Sequence, residues 1–115
     1  MHELGIIFHI IDELKVVAKE NNVKHINSVT LEVGEVSTLI PSYLEDCWKW
    51  AVHKEEEPLK DCLLKIEVVK AVTYCENCGK TYETVKYAKI CPYCGSDHTY
   101  LLKGNEKVIK EIEVI

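Results

Sequence analysis

Apolar residues recur every three or four positions near the start of the chain, within residues 5–22. They are Ile7, Ile10, Ile11, Leu14, Val17 and Ala18. Residues at this spacing share one face of a helix, so the pattern predicts an amphipathic helix over this segment. Asn21 and Asn22 suit its end, because asparagine tolerates the left-handed backbone conformation that often closes a helix.

Three other segments alternate apolar and polar residues, which is typical of half-buried strands. The first covers residues 29–33 and is followed by Gly34, the second covers residues 64–68, and the third lies in the tail at residues 108–115. The pattern therefore predicts three short strands.

A second helix is predicted between the first two strands. Ser42 and Glu45 match a capping box, in which a serine and a glutamate three residues later bond to free backbone amides at a helix start. One apolar face follows, made of Leu44, Trp48, Ala51 and Val52. The helix should end before the acidic residues 55–57 and Pro58, which are typical of a solvated turn.

The chain has 115 residues, which fits about one small domain and excludes a large enzyme with its own cofactor domain. Its 14 basic residues are all lysine, and 19 acidic residues leave a net charge of −5. An acidic chain without arginine repels phosphate and lacks the commonest reader of base edges, so nucleic acid is not an expected partner. No apolar run approaches the ~20 residues of a membrane helix, and the start lacks the basic stretch of a signal peptide. We therefore expect no membrane partner and a cytoplasmic location.

Four of the six cysteines form two C-x-x-C-G turns, at residues 75–79 and 91–95. Two intervening residues let both thiolates of a turn face one ion, and the glycine permits the tight backbone turn. Four thiolates complete the tetrahedral shell of Zn(II) and leave no position for a substrate. One structural zinc per chain is therefore predicted, bound by Cys75, Cys78, Cys91 and Cys94.

Spacing alone leaves zinc and iron as alternatives, because a rubredoxin-like electron carrier holds iron with the same four thiolates. A thioredoxin-like redox pair would need a C-x-x-C at a helix start in a strand-helix-strand context, which neither pair has. Without an export signal, metal ligation is favoured over disulfides. Cys47 and Cys62 fall near apolar positions and are interpreted as small hydrophobes.

The cysteine segment lies between the second and third predicted strands, so it is interpreted as an insertion. The predicted fold class is α+β, with two helices packed on a small three-stranded sheet and an inserted zinc-ribbon-like module of four cysteines. The predicted domains are residues 1–72 with residues 103–115, and the zinc-binding residues 73–102.

Histidine at position 2 has a distinctive metal chemistry. The terminal amine, the deprotonated amide of His2 and its imidazole can chelate one ion, and planar nitrogen ligands suit Ni(II) or Cu(II). The alternative is a solvated histidine in a frayed terminus, and the residue types alone do not decide between the two. The histidines at positions 9, 25 and 53 lie in or beside predicted helices and strands, and His9 is interpreted as structural or solvated.

Four motifs occur along the chain in a fixed order. They are Met1-His2-Glu3-Leu4, the strand end Val33-Gly34-Glu35, the two C-x-x-C turns followed by Gly95-Ser96, and Lys103-Gly104-Asn105-Glu106. Together they resemble the HypA/HybF family of hydrogenase-maturation nickel chaperones over essentially the whole chain. Paired C-x-x-C turns are common, but their combination with an opening Met-His-Glu in a chain this short is much more specific.

The resemblance implies a metallochaperone and not an enzyme. Ni(II) would be its transiently bound cargo, delivered to the large subunit of NiFe-hydrogenase with a maturation GTPase as partner. The resemblance places nickel at Met1, His2 and Glu3, in the first predicted domain, and zinc at the four cysteines. Some family members add an acidic ligand where this chain has Thr38-Leu39-Ile40, and others recruit a histidine at a position that His98 approximately matches.

Two functions of other classes are the alternatives. A zinc-ribbon protein-interaction module would have no nickel site, and a rubredoxin-like carrier would be red and loaded with iron. The sequence leaves open whether urease is also a client, and whether the chain is a monomer, forms a homodimer or exchanges domains with a second copy.

Overall fold

The computed structural model describes residues 3–115. Its helices and strands are α1 (Glu3–Glu20), β1 (Ile26–Gly34), α2 (Pro41–His53), β2 (Leu63–Val69), β3 (Val72–Cys75), β4 (Thr81–Glu83), α3 (Thr84–Tyr87), β5 (Thr99–Lys103) and β6 (Lys107–Val114). Two three-stranded sheets form, with strand orders β2-β1-β6 and β4-β3-β5. The predicted α+β class, with an inserted four-cysteine module, is confirmed.

The chain divides into two compact units. The first includes α1, α2 and the segments Leu39–Glu67 and Val108–Ile115, and the second combines Val33–Thr38 with Val68–Lys107. The domain boundaries predicted at residues 72 and 103 stay a prediction. Among residues 3–115, no helix has both the length and the apolar composition that a membrane crossing requires.

The core of the first unit is formed where α1 packs against α2. The buried apolar side chains of the two helices are Ile7, Ile10, Ile11, Leu14, Ala18, Leu44, Trp48, Ala51 and Val52. They are the residues that the helical spacing predicts, apart from Val17, which is exposed. The Trp48 side chain also donates its Nε1–H to the backbone carbonyl of Cys62 at 2.7 Å, so this core residue has a buried polar partner.

The start of α2 differs from the predicted capping box. The N-cap is Ile40 in an extended conformation, no side chain caps the helix, and Pro41 is the first helical residue. The Ile40 carbonyl accepts the backbone N–H groups of Tyr43 and Leu44, both at 3.0 Å. Proline has no N–H to satisfy and a φ already suited to a first turn. The helix therefore begins two residues earlier than the capping box predicts, and Ser42 lies inside its first turn.

The three strands of the first sheet are joined by side chains as well as by backbone. Lys110 of β6 donates to both carboxylate oxygens of Glu67 of β2, at 2.8 and 2.9 Å, and β1 lies between these two edge strands. The Glu113 carboxylate accepts hydrogen bonds from Asn27 at 2.7 Å and from Ser28 at 3.3 Å. Charged and polar groups therefore link the tail strand to the rest of the sheet.

Three backbone segments of the second unit meet at a point that we call the glycine crossing, formed by Gly34, Ala71 and Gly104. The Gly34 N–H donates to the Glu106 carbonyl at 2.8 Å. A Cβ on Gly34 would lie 2.0 Å from the Gly104 carbonyl oxygen, and one on Gly104 would lie 2.4 Å from the Cα of Ala71. Gly104 also has a φ of +122°. Only glycine allows the chain segments to approach this closely.

The second sheet supports the cysteine turns. Its central strand β3 pairs antiparallel with β4 and with β5. Tyr74 and Tyr100 are opposite each other in the β3–β5 pair, with ring centroids 5.4 Å apart. The Tyr82 hydroxyl of β4 donates to the Ala88 carbonyl at 2.8 Å. Because β3 ends at Cys75, the sheet fixes the position of the first cysteine.

Candidate metal centre

The two C-x-x-C-G segments adopt the same turn. In the first, the Gly79 N–H donates to the Cys75 carbonyl at 2.9 Å, and in the second the Gly95 N–H donates to the Cys91 carbonyl at 2.9 Å. Both glycines have a φ of +74°, a conformation that glycine adopts without the steric cost of a Cβ. The repeated sequence therefore builds two matching turns.

The turns bring the four predicted cysteine ligands together. The Cys75 and Cys94 sulfurs are 3.6 Å apart, as are those of Cys78 and Cys91, and all four sulfurs lie within 4.8 Å of one another. A tetrahedral ion with metal–sulfur distances of about 2.3 Å needs sulfurs about 3.8 Å apart. The four side chains thus fit one tetrahedral ion such as zinc and supply its whole ligand shell.

The four sulfurs are not equally exposed. Cys75 and Cys91 are buried, and with Tyr82 they form a small cluster against which the half-buried Cys78 packs. Cys94 is exposed. One corner of the cluster therefore faces solvent, and the opposite side is covered by protein.

Hydrogen bonds to the sulfurs increase this asymmetry. The Asn77 side-chain amide donates to the Cys94 sulfur at 3.4 Å, and this bond, followed by one from the Ser96 backbone, lowers the pKa of the Cys94 thiol to about 6. The Lys80 backbone N–H favours the Cys78 thiolate, but burial and the neighbouring sulfurs outweigh it and raise the pKa of Cys78 to about 11. Without metal, Cys94 is thus the more readily ionised of these two thiols.

Asn77 is a site residue that the sequence analysis missed. The sequence does hold a signal for this role: Asn77 lies within a C-x-x-C turn, and its side-chain amide can donate a hydrogen bond to a nearby sulfur. The turn's own sequence does not reveal that the amide reaches a sulfur of the other turn.

The predicted nickel residues fall at the other end of the chain. Met1 and His2 lie outside the described residues. Glu3 begins α1, its side chain is buried, and its Oε2 atom accepts the backbone N–H of Ile40 at 3.3 Å. The segment Thr38-Leu39-Ile40 therefore contacts Glu3 through its backbone.

His98, the fourth residue predicted to bind nickel, is not part of the sulfur cluster. Its side chain is 83% exposed, with Nε2 3.9 Å from the Asp97 carboxylate. Within residues 3–115, the four cysteines form the sole group of three or more side chains able to hold an ion. Nickel binding by His98 stays a prediction.

His9, His25 and Cys62 lie outside the sulfur cluster and have other surroundings. His9 pairs with Glu13 at 2.6 Å and His25 with Glu57 at 2.9 Å. Cys62 is buried, and burial raises its thiol pKa to about 11. These surroundings agree with the interpretation of His9 as structural or solvated and of Cys62 as a small hydrophobe.

The sequence and the fold were compared with known proteins. Residues 1–114 match the family described as "Hydrogenase/urease nickel incorporation, metallochaperone, hypA". The chain belongs to the HypA family. The predicted resemblance is therefore confirmed, and HypA proteins form a family of nickel-incorporation metallochaperones.

Individual HypA relatives match along their full length. The hydrogenase maturation factor HypA of Trichodesmium erythraeum is 33% identical over 114 residues, which cover 99% of this chain and 96% of the relative. HypA of Aquifex aeolicus is 30% identical, with 99% and 97% covered. HybF of Klebsiella pneumoniae is 28% identical, with 98% of each chain covered.

Solved HypA structures have the same fold. The solution structure of the Ni metallochaperone HypA from Helicobacter pylori superposes with a TM-score of 0.74 at 23% identity, covering 100% of this chain and 98% of that one. A second HypA solution structure gives a TM-score of 0.76 at 24% identity.

Proposed function

We propose that this HypA-family chain binds Ni(II) at its amino terminus and delivers it during maturation of NiFe-hydrogenase, while one structural zinc holds the cysteine module. The observation that carries the proposal is the family match over residues 1–114. In this function the chain is a carrier and not an enzyme, and nickel is its cargo. Its proposed partners are a maturation GTPase and the hydrogenase large subunit.

The zinc part of the proposal is supported by the small core of the module. Its hydrophobic cluster consists of Cys75, Tyr82 and Cys91, with Cys78 packed against it, so three of its four members are proposed ligands of the ion. A core of this size cannot stabilise a fold without a further crosslink. The binding free energy of the ion is then largely folding free energy of the module.

The nickel part of the proposal rests on the first three residues. The terminal amine, the His2 amide and the His2 imidazole are the proposed chelate, and nitrogen ligands of this kind suit Ni(II). Glu3 is the next residue, and its carboxylate is held by the Ile40 N–H. We propose that this contact fixes the chain directly after His2, so that the chelate forms at the start of α1.

Calorimetric titration with Ni(II) tests the nickel site on three zinc-loaded proteins: the unchanged chain, a chain with two residues added before Met1, and His2→Ala. Both altered proteins should lose most of their nickel affinity and keep their zinc, because each loses a ligand of the chelate. His9→Ala is the matched control, since His9 is exposed and pairs with Glu13. It should bind nickel as the unchanged chain does.

The outcomes separate the competing functions. Unchanged affinity in His2→Ala would overturn the nickel function and leave a zinc-ribbon interaction module. Loss in His2→Ala but not in the extended chain would remove only the amine from the ligand set. His98→Ala should have a smaller effect than His2→Ala, because it removes no member of the proposed chelate of terminal amine, His2 amide and His2 imidazole.

Metal analysis of purified protein tests the cysteine site. We expect one zinc per chain and a colourless protein, and Cys94→Ser should lower zinc occupancy. A red protein loaded with iron would support the electron-carrier alternative, and full zinc occupancy in Cys94→Ser would overturn the four-cysteine ligand set.

A further inference from the structure

The side chain of Asn77 links the two cysteine turns. Asn77 belongs to the first turn, directly before Cys78, and its Nδ2 atom donates to the sulfur of Cys94 in the second turn at 3.4 Å. The bond therefore joins two turns that are separated by more than ten residues of sequence.

The sulfur that Asn77 contacts is the exposed one. Cys75 and Cys91 are buried, whereas Cys94 is exposed. A chelator, a competing thiol or an electrophile in solution therefore reaches Cys94 before it reaches the buried sulfurs. A group that contacts Cys94 therefore contacts the most accessible of the four sulfurs.

The second turn has no matching side-chain donor at its equivalent position. Tyr93 occupies the place that Asn77 has in the first turn, and the Lys80 ammonium lies over its ring, 4.8 Å from the centroid. The backbone N–H of Tyr93, and not its side chain, donates to Cys91 at 3.4 Å. The two turns thus share the hydrogen bond that closes each turn at its glycine, but only in the first does a side chain donate to a sulfur of the other turn.

We propose that Asn77 is a positioning residue of the metal centre, which holds the Cys94 sulfur on the ion and slows loss of the ion through the exposed corner. An N–H donor orients a ligand sulfur and withdraws negative charge from it, so the sulfur is attacked less readily. Outer hydrogen bonds of this kind typically change metal affinity by about 10- to 100-fold. The inference rests on the proposed function only in that the four cysteines hold an ion.

The amide is suited to this place because it donates without carrying charge. Four thiolates around one divalent ion leave the centre with a net negative charge, so a carboxylate beside Cys94 would add repulsion. Asn77→Asp keeps the size and shape of the side chain and replaces the donor by an acceptor. It therefore separates hydrogen bonding from a role in the shape of the turn.

The test measures how fast zinc passes from the full-length protein to an excess of a chromogenic chelator such as 4-(2-pyridylazo)resorcinol. Asn77→Ala should release zinc about 10- to 100-fold faster than the unchanged chain, and Asn77→Asp should be at least as fast as Asn77→Ala. Tyr93→Ala is the matched control at the equivalent position, and its rate should stay within about twofold of the unchanged chain because it removes no donor to sulfur.

Cobalt(II) substitution gives a spectroscopic signature that a merely structural role would not produce. The sulfur-to-cobalt charge-transfer band should move to lower energy in Asn77→Ala and Asn77→Asp, because the Cys94 sulfur becomes richer in electrons. The visible bands of tetrahedral cobalt should persist, which would show that all four sulfurs still bind. Tyr93→Ala should leave the charge-transfer energy unchanged.

Each outcome decides the proposal. An Asn77→Asp protein with the zinc-release rate and charge-transfer energy of the unchanged chain would overturn the role of Asn77 and leave the zinc site standing. Equal acceleration by Asn77→Ala and Tyr93→Ala would do the same. If the unchanged chain binds no zinc, the proposed metal centre fails, and the role of Asn77 fails with it.

Discussion

Replacing Gly34 by alanine at the glycine crossing should destabilise the protein strongly. The added Cβ would lie 2.0 Å from the carbonyl oxygen of Gly104, 2.1 Å from its carbonyl carbon and 2.4 Å from the Asn105 nitrogen. Unstrained contacts between heavy atoms lie at about 3.5–4.0 Å. All three atoms belong to backbone, so no side chain can rotate away, and the segments themselves must separate.

The expected net cost is about 2–4.5 kcal/mol. Overpacking of this kind costs about 1–3 kcal/mol. The separation also breaks the hydrogen bonds from Gly34 to Glu106 and from Val36 to Gly104, both 2.8 Å long, and each such bond contributes about 1 kcal/mol. Alanine recovers about 0.4–1 kcal/mol by restricting the unfolded chain, which offsets only a small part of the loss.

Thermal unfolding of zinc-loaded protein, followed by far-ultraviolet circular dichroism, measures this cost. A chain of 115 residues has an unfolding entropy of about 0.24 kcal/mol/K, so the net loss lowers Tm by about 8–19 °C. Gly5→Ala is the matched control. A Cβ there meets nothing within 4 Å, and alanine favours the helix by about 0.5–1 kcal/mol, so Tm should rise slightly. A Gly34→Ala protein with a Tm within about 3 °C of the unchanged chain would refute the close approach.

Three further substitutions test other parts of the fold. Trp48→Phe removes the donor to the Cys62 carbonyl and should lower the free energy of unfolding by about 1–3 kcal/mol in urea titrations; no loss would show that the bond contributes nothing. Ser42→Ala should change that free energy by less than about 0.5 kcal/mol, because no side chain caps α2. A loss of about 1 kcal/mol would instead indicate that Ser42 caps the helix. The Asn27 hydrogen bond first, then the Lys65 charge and the Ser28 hydroxyl, hold the pKa of Glu113 below its ordinary 4.5. Glu113 therefore contributes stability above pH 4.5 that is lost as the pH falls through its lower folded-state pKa. Glu113→Gln should flatten the fall of Tm over that acidic range, and an unchanged Tm profile would contradict the link.

The sequence predicted those helices and strands whose apolar pattern extends over enough residues to show a clear period. The helical spacing identified α1, and alternation identified β1, β2 and β6. The predicted capping box at Ser42 was wrong, because Pro41 favours a helix start two residues earlier. A motif match alone does not show which of two neighbouring start signals the chain uses. The sheet β4-β3-β5 was not predicted, because strands of 3–5 residues are too short for alternation to be distinctive.

The candidate site also contains a part that the sequence predicted and a part that it did not. Each C-x-x-C-G turn is a local structure, so spacing alone was enough to predict that its two sulfurs face one point. The contact of Asn77 with Cys94 and the position of Ile40 beside Glu3 depend on how distant segments meet. Such contacts have no periodic signal in a single sequence, and only the fold reveals them.

The glycine crossing also makes the cysteine module a segment that protein engineering could replace. The chain enters the module beside Ala71 and leaves it beside Gly104, where the two backbones touch, and Val72 is paired with Lys103 in the ladder just beyond. A segment whose ends are neighbours can be replaced by another of different length without moving the chain on either side. The position between Ala71 and Gly104 therefore offers a graft point, at which a foreign metal-binding hairpin or a short two-strand turn could be inserted as a cassette.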